Sequence, residues 1–112
     1  MVIYALVHEH CVWNEYENLV RKGRSLGRIP AILQELERIR AQESWFEIKD
    51  PSKVLYAPKE QVLVCGAYAE MCVERQVRAL RSWGVSCQIY EAGTLFAVRD
   101  LRLNLPSIYL EF

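Results

Sequence analysis

The sequence has no apolar run long enough to cross a membrane. Its longest stretches, such as Val62-Leu63-Val64-Cys65, fall far short of the roughly 18–20 residues required. It has no excess of either charge, with 14 basic and 14 acidic side chains. That balance removes the positive field that draws a protein to nucleic acid and the self-repulsion that keeps a chain unfolded. No CxxC pair is present, so the zinc-ribbon signal is missing. Neither GxxxxGK[ST] nor GxGxxG occurs, which leaves Gly66 without the companions of a phosphate loop. The start, MVIYALVHEH, lacks the basic opening and small-residue cleavage site of a secretory leader, and a cytoplasmic location is expected. No internal repeat or low-complexity segment divides the chain. A single domain over residues 1–112 is expected.

What is present suits one compact core: 52% of the 112 residues are hydrophobic. Val2 to Val7 (VIYALV) is a short run of β-formers, as in a central strand covered on both faces. It leads into the polar cluster His8-Glu9-His10-Cys11 at the strand end, where alternation puts His8 and His10 on one face. Trp13, Tyr16, Leu19 and Val20 then recur at helical spacing, and Gly23 stops that helix. Gly23 to Arg28 is a loop. From Pro30 to Gln42 a second helix turns Ile32, Leu33, Leu36 and Ile39 inward, with Glu35/Arg38 and Glu37/Arg40 as i,i+3 pairs outside. Ser44 to Ile48 reads as a strand with Lys49 at its end, and Asp50 to Glu60 as a connection.

The stretch Val62 to Glu91 organises the remainder. It reads as a strand from Gln61, a glycine turn at Gly66, a helix over Ala69 to Trp83 burying Val73, Val77 and Leu80, and a stop at Gly84. A strand over Val85 to Tyr90 follows, and Gly93-Thr94 reads as a turn. Cys65 and Cys87 fall inside strands, where a thiol behaves as a small hydrophobe. Trp13, Trp45 and Trp83, with Tyr56, read as core or interface aromatics. The tail Pro106 to Phe112 reads as an edge strand or arm suited to pairing with a second copy. Strands alternating with helices imply an α/β fold, a three-layer sandwich around a mostly parallel sheet, with a right-handed crossover between Val62 and Val85.

The residues Gly66-Ala67-Tyr68-Ala69-Glu70-Met71-Cys72-Val73, followed by Gly84 at the helix end and a strand to Glu91, resemble the signature of the isochorismatase-like cysteine hydrolases. That family includes nicotinamidases and N-carbamoyl amide hydrolases. The resemblance implies a reduced version of the family's Rossmann-like topology and a nucleophilic Cys72 acting on an amide or similar C–N bond. It also implies a carboxylate base at the end of the first strand and a lysine at the end of a later one. Here Glu9, His8 or His10 would supply the base and Lys49 the lysine. Tyr68 would wall the pocket, and the amides of Ala69 to Cys72, Met71 among them, would face the substrate oxyanion. The chain departs from the pattern where Ala69 and Gln76 replace threonines and Ala92 stands where an aspartate is common.

The chemistry has its own logic. Unpaired N–H groups at a helix start favour a thiolate and a developing oxyanion, and a nucleophilic cysteine needs a base beside it. Two functions are compatible with these residues. One is a small cysteine hydrolase taking a small-molecule substrate, with no cofactor and no metal. The other is a non-catalytic relative that works by association, as a homo-oligomer.

Overall fold

The computed structural model describes residues 1–103, so the tail from 106 onward lies outside the described residues. Four parallel strands form one sheet in the order β2-β1-β3-β4, with β1 Val2–Val7, β2 Trp45–Ile48, β3 Gln61–Ala67 and β4 Cys87–Leu95. Over the described residues the protein is therefore α/β with an all-parallel sheet. Parallel neighbours need crossovers, and two of the three connections are helical, while residues 49–60 between β2 and β3 carry no helix. Helices α1 (Glu9–Arg21) and α2 (Ile29–Arg40) join β1 to β2, and α3 (Glu74–Ser82) joins β3 to β4. A short helix, α4 (Ala97–Leu101), follows β4.

The alternation of side chains along β1 and β3 divides the core in two. Leu6, Cys65 and Ala67 pack with Val12 of α1 and Ile32, Leu33, Leu36 and Ile39 of α2. Ala5, Val7, Val62 and Val64 point the other way, into Val73, Val77 and Leu80. The result is three layers, with α1 and α2 on one face and α3 on the other. Cys65 and Cys87 are buried free thiols, as their strand positions require. Among the described residues no helix is long and apolar enough to cross a membrane.

Several boundaries differ from the pattern-based expectation, each for a local reason. Helix α1 starts at Glu9, because His8 takes a left-handed conformation (φ 46°, ψ 44°) that ends the strand abruptly at Val7. The polar cluster thus belongs to a helix start, and strand alternation does not govern His8 and His10. The Gly93-Thr94 pair does not end β4. The strand bulges between Ile89 and Thr94, where Val64↔Ile89 pairing jumps to Gly66↔Thr94, and the Thr94 hydroxyl donates to the Tyr90 carbonyl across the bulge (2.7 Å). The expected helix from Ala69 divides into an irregular π-like turn, Ala69–Val73, broken at Met71, and the regular α3. Arg40 bonds Glu47 of β2 and the Glu9 carboxylate, and its guanidinium stacks over Trp45 at 4.6 Å. The expected Glu37 partner is replaced by these, while Glu35 does pair with Arg38. Trp13 and Trp83 are surface residues, 50% and 68% exposed, and not core.

Gln76, at a position where the resemblance expects threonine, is fully buried in α3. In the amide orientation that satisfies it, its nitrogen donates to the carbonyls of Pro51 (2.9 Å) and Lys53 (3.2 Å). One side chain thereby holds the β2–β3 connection against the sandwich.

Candidate functional site at the carboxyl edge of the sheet

All four strands are parallel, so their C-terminal ends share one edge, where α/β folds put ligands. The Cys72 turn is delivered there by Gly66. Its φ of +117° lies in the region that favours glycine, and a Cβ at this position would sit 1.9 Å from the Val7 carbonyl oxygen. Strands β1 and β3 can approach this closely only because residue 66 has no side chain. The Ala67–Tyr68 peptide is cis. The Tyr68 carbonyl then accepts both the Met71 N–H (3.0 Å) and the Val73 N–H (3.2 Å), which curls the turn back on itself. The Met71 amide is therefore already bonded, unlike the free run of amides expected from Ala69 to Cys72. Ala69 is buried and offers only its backbone. Cys72 itself is half-buried, resting against the cluster built on Val73 and Val77.

The acidic residue of the turn has a structural partner. Glu70 is buried, and its two carboxylate oxygens accept the N–H groups of Ala97 and Val98, each at 2.8 Å. These are unpaired donors of the first turn of α4, so Glu70 caps that helix from across the edge.

A small polar group lies around Tyr68. Its hydroxyl donates to Glu15 Oε1 at 3.0 Å, and burial together with that carboxylate holds the phenol well above its ordinary range. Cys11, one helical turn before Glu15 on α1, has its thiol pushed up first by burial, then by the nearby Cys72 and Glu15. Tyr68 and Glu15 are thus joined by a hydrogen bond with Cys11 near them, whereas Cys72 packs against the cluster on the other face of the sheet and reaches this group only through its influence on Cys11. Cys11 is read from the sequence only as part of the polar cluster after β1, and Glu15 carries no expectation as a site residue. The available signal was their i,i+4 spacing on the helix that leaves the β1 end, obscured by starting that helix at Val12.

The other expected residues gather elsewhere on the edge. His8, Glu9, His10 and Lys49 line a cleft of about 400 Å³ together with Arg40 and Glu47. The His8 and His10 rings meet edge to face at 5.8 Å, Glu9 is ion-paired with Arg40, and Lys49 is exposed. Cys72 is not among the residues lining this cleft. The structure therefore brings His8, Glu9, His10 and Lys49 together and leaves Cys72 and Tyr68 out of that cleft. Among the described residues, no three His, Cys, Asp or Glu side chains converge in a way that would hold a metal ion. Compared with protein families, curated proteins and solved structures, the chain matches none.

Proposed function

We propose that the chain is a shortened isochorismatase-like domain that hydrolyses an amide or similar C–N bond with Cys72 as nucleophile. The observation that carries this reading is the Cys72 turn at the carboxyl edge of a parallel sheet, just before α3. In this scheme the Cys72 sulfur attacks the carbonyl carbon, and its proton passes to a carboxylate. The amine leaves carrying a proton, and water then cleaves the thioester to release the acid and restore the thiol. Glu15 is the preferred base over Glu9, because Glu9 is engaged by the Arg40 guanidinium and lines the neighbouring cleft, which Cys72 does not line. The Cys72 backbone amide and that of Glu70 are the preferred oxyanion donors, since Met71 and Val73 already bond Tyr68. Lys49, His8 and His10 would act on the substrate from the neighbouring cleft, and Tyr68 would form a wall of the site.

The test is the pH profile of iodoacetamide alkylation at Cys72, followed by peptide mapping in the wild-type chain and in Glu15→Gln. The expected result is alkylation of Cys72 near neutral pH faster than that of a free thiol, at a rate changed by the Glu15 substitution. A Cys72 no more reactive than a free thiol removes the nucleophile, and with it the hydrolase.

A second reading, association as a homo-oligomer, is favoured by the exposed indoles of Trp13 and Trp83. Sedimentation as a monomer at high concentration would exclude it.

A further inference from the structure

A groove of about 830 Å³ lies away from the Cys72 turn, walled by the loop before α2, the bulged part of β4, and α4. Four guanidinium groups from these separate segments converge on it: Arg24, Arg28, Arg99 and Arg102. Among the described residues that line it, the carboxylates are Glu91 and Asp100, so this lining carries a surplus of two positive charges in a chain that is neutral overall.

The pairing inside the groove is unequal. Arg28 and Asp100 satisfy each other through a two-pronged contact, Nε to Oδ1 at 2.9 Å and Nη2 to Oδ2 at 2.7 Å. Arg28 also donates to the carbonyls of Glu91 (3.2 Å) and Thr94 (2.9 Å). The Phe96 N–H holds Asp100 Oδ2 from behind (2.8 Å). This pair is a built floor with its charges cancelled. Arg99 lies flat over the Phe96 ring at 3.9 Å and reaches Glu91 only loosely, at 3.9 Å. Arg24 and Arg102 have no ion pair or hydrogen bond among the described residues. Leu19 and Leu101 add apolar wall.

We propose that this groove is a binding site for a small phosphate monoester, with Arg24, Arg99 and Arg102 receiving the phosphate and the leucines receiving its organic part. Three reasons favour this ligand. The uncompensated charge equals that of a phosphate monoester near neutral pH, which is between −1.5 and −2. Guanidinium forks match phosphate oxygens in pairs. The volume falls in the range of small-molecule sites. The inference does not depend on any chemistry at Cys72.

Phenyl phosphate, inorganic phosphate and phenol are the probes, titrated against the full chain by calorimetry at low and moderate salt. Phenyl phosphate is expected to bind saturably and more tightly than inorganic phosphate, with phenol silent and affinity falling as salt rises. Arg24→Gln and Arg102→Gln, both on exposed side chains, should each weaken phenyl phosphate about tenfold while leaving the melting temperature unchanged. No saturable binding at millimolar phenyl phosphate overturns the proposal. So does binding that the double variant leaves intact, or phenol binding as well as its phosphate.

Discussion

Replacing Glu70 with alanine removes both acceptors of the first turn of α4 while leaving the backbone of that turn free to form. The Ala97 donor is buried and the Val98 donor is partly accessible to water. A hydrogen bond to a charged group contributes about 1.5–3 kcal/mol, and the accessible one belongs at the bottom of that range. The loss is therefore about 3–4 kcal/mol, a large share of the 5–15 kcal/mol that holds a domain of ordinary stability. In a chain of this size that corresponds to a fall in melting temperature of roughly 10–20 °C. Glu70→Gln retains one carbonyl acceptor and should lose about half as much. Urea unfolding followed by far-UV circular dichroism measures both variants. A loss below about 0.5 kcal/mol in Glu70→Ala, the level of an ordinary surface change, would refute the capping role.

Gly66→Ala should be the most damaging single substitution along β3, because its Cβ would overlap the Val7 carbonyl at 1.9 Å. Loss of about 4 kcal/mol or more, seen as little folded protein in a thermal melt, is expected, and a variant that melts like the wild type would contradict the close approach. Burial alone would raise the Asp100 carboxyl, but the Arg28 hydrogen bond and the Phe96 N–H outweigh it and hold the group below the ordinary aspartate value. Its contribution to stability is therefore complete above the unfolded value of about 3.9 and disappears as pH falls through the depressed folded value. Asp100→Asn should flatten that acid limb of a stability–pH curve, and an unchanged limb would show that other carboxylates govern it. Burial pushes the Cys65 thiol up to about 12, so native alkylation at mildly alkaline pH should spare Cys65 and mark Cys72 first.

The parts of the fold that a reader of the sequence can see are those whose residues answer to a local period. Strand β1, helix α2, helix α3 and the glycine stop at Gly84 show themselves through spacing alone. Strand β4 hides its second half because a bulge and a turn draw on the same residues, here Gly93 and Thr94. Helix α1 hides its first turn because nothing in His8-Glu9-His10 signals a left-handed residue before a helix. At the site, Gly66 and Cys72 are legible because the turn is contiguous. Glu70 capping α4, 27 residues downstream, is a contact through space. So is the meeting of Glu15 with Tyr68, 53 residues apart. The same holds for Arg40, which serves the start of α1 and strand β2 in preference to its helical neighbour.

The two outer strands bear on how copies of this chain can meet. Strand β2 is only four residues long, and its exposed Glu47 is engaged by Arg40. Strand β4 is kinked at the bulge between Ile89 and Thr94. Neither border offers a long, flat row of backbone donors and acceptors for another sheet to continue, which is how β proteins guard against edge-to-edge growth. Any self-association among the described residues is thereby directed to the helical faces, where the Trp13 and Trp83 rings stand in water. The sheet borders thus act as a safeguard against fibrous assembly during folding, when such borders are most exposed.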